Sequence, residues 1–106
     1  MAAPLQLTFG DLTIDLERYR VLVGGRSLIL AYSEYALLVF LAGRPGHLVP
    51  RRQLLEQGLG RHDADGLRRV DEHLRHLKSQ LEREGQRVIE KAGEAGYRFV
   101  PQLTPI

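Results

Sequence analysis

The sequence predicts an α+β domain in which four short antiparallel strands precede three helices and a closing β-hairpin. Three observations predict it. Apolar residues alternate with period two as far as residue 30, recur at helical spacing from Ser33, and return to strand-like runs after Gly85.

The first strands are short. Leu5, Leu7 and Phe9 alternate with Gln6 and Thr8, and Gly10-Asp11 reads as a turn. Leu12, Ile14 and Leu16 alternate with Thr13 and Asp15, and Tyr19, Val21 and Val23 form a third run. Gly24-Gly25 separates that run from Leu28 and Leu30. A Gly pair between two such runs supplies the positive φ that a tight hairpin needs. Four strands are therefore expected within residues 5–30, half-buried on one face.

Helices come next. Tyr35, Leu38, Val39 and Ala42 place a helix over 33–42, with Gly43 and Pro45 as stop signals. A second helix is expected over 50–57, with Pro50 in its first turn, where a missing N–H costs nothing, and Leu54 and Leu55 turned inward. Gly58-Leu59-Gly60 breaks it, and a polar loop follows at 61–66. Leu67, Val70, Leu74, Leu77 and Leu81 then fall three or four apart, one continuous apolar stripe over a helix at 67–84. At about 1.5 Å per residue this is a rod of roughly 27 Å. Strands at Arg87–Glu90 and Tyr97–Val100 flank Gly93-Glu94-Ala95-Gly96, a hairpin over 87–100. No repeat or linker interrupts the chain, so residues 1–106 read as one domain, a helix-turn-helix followed by a wing.

Composition excludes several function classes. The chain has 106 residues and no Cys, which leaves no disulfide framework, no thiolate nucleophile and no Cys-based zinc site. The longest apolar run, Ala36–Ala42, is far short of the ~20 residues that span a bilayer, and the first residues lack the pattern of a secretory signal. A cytoplasmic protein without membrane contact is expected. No Gly-rich phosphate loop follows a strand, and Ser27, Ser33 and Ser79 suggest no nucleophile–base arrangement, so no enzyme and no cofactor are expected. His73 and His76 lie three apart without an obvious third ligand, so no metal is expected either.

Charge is informative by position. Net charge is +2, and the first fifty residues balance four basic against four acidic side chains, so the surplus lies in the second half. Thirteen of the fifteen cations are Arg, whose planar fork suits phosphates and guanine edges. The face of the third helix opposite the stripe carries Arg68, Arg69, Glu72, Arg75, His76, Ser79 and Arg83, with His73 and Lys78 on its flanks. A basic rod of this width matches the major groove of DNA.

The segment Arg68-Arg69-Val70-Asp71-Glu72-His73-Leu74-Arg75-His76-Leu77-Lys78 resembles the R-T-V-D-x-H-I-x-R-L-R signature of OmpR/PhoB-type effector domains. Glu34-Tyr35-Ala36-Leu37-Leu38, Arg44-Pro45-Gly46 and Arg51-Arg52-Gln53-Leu54-Leu55 match that family's first two helices, and Gly96-Tyr97-Arg98-Phe99 the end of its wing. The resemblance covers residues 5–100 in order. It implies a winged helix-turn-helix that binds double-stranded DNA to regulate transcription, as tandem dimers behind a phosphorylatable receiver domain of a two-component response regulator. It also implies DNA contacts from Arg51, Arg52, Arg68, Arg69, His73, Arg75, His76, Lys78 and Lys91. Loop 58–66, with Asp63 and Asp65, corresponds to the segment relatives use to touch RNA polymerase. Asp71 is expected to act locally, orienting neighbouring Arg side chains or favouring the first helical turn.

Departures from the family pattern carry their own expectations. Arg69 replaces a Thr, Lys78 an Arg, and Leu59 a Trp. His76 replaces an Arg, and as a base-edge contact it would make binding tighter at pH 6 than at pH 8. Gly93 replaces the wing Arg and Glu94 adds a carboxylate beside it, so the wing is expected to contribute weakly. Ala31 stands where relatives carry a capping Thr, which shifts the expected cap to Ser33. The alternative reading keeps the winged helix but uses it as a protein-interaction module, on RNA polymerase or a second copy, with weak or no DNA binding.

Overall fold

The computed structural model describes residues 5–62 and 65–101. Four strands, β1 (Gln6–Phe9), β2 (Leu12–Asp15), β3 (Arg20–Val23) and β4 (Arg26–Leu28), form an antiparallel meander in that spatial order. Their register sets Leu12 against Val23 and Ile14 against Val21, so these four buried residues share one face, as the alternation requires. The strand expected through Leu30 ends at Leu28, and Ile29 beyond it is almost fully exposed.

Helix α1 (Tyr32–Ala42) is the central beam. Its buried residues, Glu34, Tyr35, Leu37, Leu38, Leu41 and Ala42, extend well around the axis, wider than the stripe read from spacing. The reason is that α1 is covered on more than one side, as expected of a helix apolar around most of its girth. Its cap differs from expectation. The helix begins at Tyr32, one residue before Ser33, and Ala31 is the N-cap with extended backbone. Ala31 has no side-chain acceptor, so only half of a capping box exists: its N–H donates to Glu34 Oε1 at 2.8 Å. Ser33 does not cap; its hydroxyl lies 3.4 Å from His73 Nδ1. At the other end Gly43 is right-handed, with φ −73°, and the left-handed residue is Gly46, with φ +79°.

A strand that local pattern had not revealed, β5 (Leu48–Val49), follows α1 and pairs with the last strand. The second helix spans the expected stretch in a different form. Pro50 lies outside it as an extended N-cap, α2 (Arg51–Gln53) is one short turn, and Leu54–Gly58 widens into a π turn. The Leu59 N–H donates to the Leu54 carbonyl, five residues back, at 3.0 Å. Leu54 and Leu55 are buried, as the apolar pair suggested.

Helix α3 (Gly66–Arg83) follows the leucine stripe: Val70, Leu74, Leu77 and Leu81 are buried and Leu67 is partly covered. Gly66 permits its close start, because a Cβ there would lie 2.4 Å from Leu55 Cδ1. Strands β6 (Ile89–Ala92) and β7 (Gly96–Phe99) form the hairpin, with a ladder that runs nearer the tip than the expected 87–90 and 97–100. With β5 they make a three-stranded sheet in the order β5-β7-β6. One apolar cluster joins residues of both sheets and all the helices except α2. Among the described residues, no helix is long and apolar enough to cross a membrane.

Candidate nucleic-acid interface

Burying the stripe of α3 leaves its opposite face open. Arg68, Arg69, Glu72, Arg75, His76, Ser79, Glu82 and Arg83 are exposed. Arg69, Arg75 and Arg83 have no ion-pair partner among the described residues. Arg68 reaches Glu72 only at 3.9 Å, and Lys78 reaches Glu82 only at 4.0 Å. Exposed pairs at such distances contribute about 0–1 kcal/mol, so both cations remain available to an anion.

One flank of this face meets the hairpin. Arg75, Lys78 and Lys91 line a cleft of about 130 Å³ with Asp71, Leu74 and Tyr97. Lys91 stands exposed on β6 opposite Tyr97. Asp71 is the fixed point of the cleft. Arg51 Nη1 donates to its Oδ2 at 2.6 Å and Tyr97 Oη donates to its Oδ1 at 2.7 Å. The expected local role of Asp71 gives way to a longer one, since its partners lie 20 and 26 residues away in α2 and β7. Burial, then the hydrogen bond to Asp71, pushes the Tyr97 phenol well above its usual range, so the hydroxyl keeps its proton and stays a donor.

The other flank meets α1. His73, half-buried, faces Ser33, and His76 Nδ1 contacts Glu34 Oε2. The structure thus divides the nine residues singled out in the sequence. Arg75, Lys78 and Lys91 come together at the cleft beside the hairpin, and Arg68 and Arg69 are exposed elsewhere on α3. Arg51, His73 and His76 are engaged with other elements, and Arg52 is exposed on α2, 3.7 Å from Glu56. Asp63, in the loop matched to a polymerase contact, lies outside the described residues, as does Ala64. Sequence reasoning missed the Asp71 triad and Glu34 as a site-facing group. The motifs contained all these residues, but nothing local indicated which would meet.

Comparison with known proteins agrees with this architecture. Residues 25–99 match the family described as "Transcriptional regulatory protein, C terminal". The transcriptional regulatory protein SrrA of Staphylococcus aureus is 33% identical over 96 residues, covering 88% of this chain and 40% of SrrA, so the chain spans about two-fifths of that relative. The DNA-binding domain of Klebsiella pneumoniae RstA, solved in complex with the RstA box, superposes with a TM-score of 0.77 at 29% identity, covering 92% of this chain and 98% of that one. The response regulator DrrB of Thermotoga maritima, an OmpR/PhoB homologue, gives 0.78 at 30% identity, covering 91% of this chain and 44% of that one. These neighbours make the fold a winged helix. The family match extends from β4 through β7 and includes both flanks of the α3 face, and on that ground the chain belongs to the C-terminal domains of transcriptional regulatory proteins, the OmpR/PhoB-type effector domains.

Proposed function

We propose that this chain binds double-stranded DNA sequence-specifically to regulate transcription, with α3 in the major groove and the hairpin contributing a smaller share. The observation that carries the reading is the outward face of α3, where Arg69, Arg75 and Arg83 have no ion-pair partner among the described residues. Arg75, exposed on α3 where its face meets the hairpin cleft, is assigned to a base edge, where a guanidinium can engage guanine through two bonds. Arg68, Arg69, Arg52, Lys78 and Lys91 are assigned to phosphates, which supply affinity without sequence information. Arg51, His73 and His76 serve the same surface indirectly, by holding α3 against α2 and α1. The solved complex of RstA with its box supports the assignment by likeness. Tandem dimerisation, a polymerase contact through loop 58–66 and a preceding receiver domain are carried by the family resemblance alone.

The test is a salt titration of fluorescence anisotropy on a duplex selected from a random pool. If roughly six phosphates are neutralised, affinity falls about a thousandfold between about 50 and 200 mM salt. Arg75→Ala is expected to cost about 1–3 kcal/mol and relax preference at one position, whereas Lys91→Ala weakens all duplexes alike and makes the salt slope shallower. Glu94→Arg is expected to tighten binding by removing a carboxylate from the exposed hairpin turn. Absence of binding at the lowest salt would remove this reading in favour of a protein-interaction module.

A further inference from the structure

We propose that Glu34 and His76 form a proton-operated clamp that seats α3 on α1, so that binding by the outward face weakens as pH rises. The inference rests on the DNA-binding reading above and concerns its regulation. Three observations carry it. Glu34 is a carboxylate in the core, 3% exposed, at the third position of α1. Its two oxygens have separate partners: Oε1 accepts from the Ala31 N–H, and Oε2 contacts His76 Nδ1. The third observation is the position of His76 on α3, its side chain 57% exposed at the margin of the basic face. One imidazole thus touches a buried anion on one side and the binding surface on the other.

The ring nitrogens have different duties. With neutral imidazole, Nδ1–H donates to Glu34 and Nε2 accepts from the Gln80 amide, whose Nε2 lies 3.4 Å away. A second proton goes on at Nε2, and the Gln80 amide can rotate to present its oxygen instead. Only in that protonated form does Glu34 gain a counter-charge. The groups around the pair modify this without replacing it. On α3, Glu72 lies one turn before His76 and is shared with Arg68 at 3.9 Å, while His73 faces Ser33 of α1 at 3.4 Å. From β4, Arg26 is engaged with Glu84 at the end of α3, and the Tyr35 hydroxyl of α1 is directed to the Asp15 carbonyl. None of these gives Glu34 a second cation among the described residues. The N-terminal end of α1 already favours a carboxylate, so the proton adds a moderate increment to the clamp. It also adds one positive charge beside Arg69 and Arg83, two turns away on either side. Both effects have the same sign: tight at low pH, weaker once the imidazole is neutral.

The experiment measures anisotropy with a selected duplex at fixed ionic strength from pH 6 to pH 8, alongside backbone and imidazole NMR. The expected decline for the parent chain is about fivefold, the lower end of couplings between linked sites. His76→Arg should bind as the parent does at pH 6 and show no decline. Glu34→Gln, which keeps an acceptor for the Ala31 N–H, should lose much of the decline, and His73→Gln should retain it. In the parent, the Ala31 amide resonance should follow the His76 imidazole titration. A Glu34→Gln variant with the full parental decline, or an Ala31 amide indifferent to His76, overturns the clamp; if Glu34→Gln fails to fold, the His76→Arg profile and the Ala31 resonance still decide. If no variant binds duplex at low salt while Ala31 still follows His76, the clamp stands and the DNA-binding reading is what fails.

Discussion

Asp15 shows how one buried side chain can organise a turn. Its carboxylate accepts from the Glu17 and Arg18 amides at 3.0 Å each and from Arg20 Nε at 3.3 Å, across a turn in which Tyr19 takes a left-handed φ of +54°. The Arg18 amide is the largest influence on its acidity; burial opposes it, and the Glu17 amide and the Arg20 side chain add to it, so the carboxyl titrates below its ordinary 3.8. A depressed carboxylate contributes stability that is complete above its unfolded value and is lost as pH falls through the folded one. Urea midpoints measured between pH 5 and pH 2 should therefore drop for the parent chain and drop less steeply for Asp15→Asn, which starts lower at neutral pH. Parallel profiles would show that the turn does not depend on the charge. The sequence put Asp15 in an alternating strand as an outward polar residue, and the strand was right. Its burial was not legible, because it depends on the chain folding back over residues 16–19. Asp71 and His76 repeat the lesson: both stood out in the motif, yet Arg51, Tyr97 and Glu34, which they contact on other elements, lie 20 to 42 residues away.

Elements were legible in proportion to their length. The five-residue stripe of α3 extends over most of five turns, and it identified both the buried side and the open one. Periodicity cannot mark a two-residue strand, so β5 appeared only as the edge that completes the hairpin sheet. Nor can it separate an α turn from a π turn, which here brings the chain across α1 at Gly58, where a Cβ would lie 3.4 Å from Leu37 Cδ2. The β5–β7 junction leaves no room for a side chain at Gly96. Gly96 has φ +144°, and a Cβ there would sit 2.1 Å from the Val49 carbonyl oxygen, with the backbone of Pro50 close behind. Gly96→Ala must therefore push β5 off β7 and disturb the entry to α2. A loss of about 3 kcal/mol or more is expected from the urea midpoint. Gly93→Ala, at φ +54° with nothing near its Cβ, serves as the control and should cost about 1–2 kcal/mol. Equal losses would mean that backbone strain, and not the closeness of β5, makes glycine necessary at 96.

On the scale of the whole molecule, the two sheets are not independent layers. Phe9 of β1 meets Phe99 of β7 edge to face, ring centroids 4.8 Å apart, so the first and last strands share one cluster with α1 and α3. Thermal unfolding followed by far-ultraviolet circular dichroism, and by the near-ultraviolet signal of the tyrosines in the β2–β3 turn, α1 and the hairpin, should superimpose as a single transition. Phe9→Ala should lower stability by about 2 kcal/mol, less than for a fully buried Phe because Phe9 is partly exposed, and it should keep the transition single. Two separated transitions in the parent would show that the meander and the hairpin fold as separate units. The sequence by itself determined the order of every strand and helix except β5, the buried side of α3 and its basic face. Those properties follow from the repeat along one element, which the chain carries locally. The tertiary structure alone decided that Asp71 binds Arg51 and Tyr97, that both imidazoles of α3 turn toward α1, and that Val49 requires a glycine at 96. Such contacts depend on the register between elements remote in sequence, and that register is set by how their side chains fill the shared core.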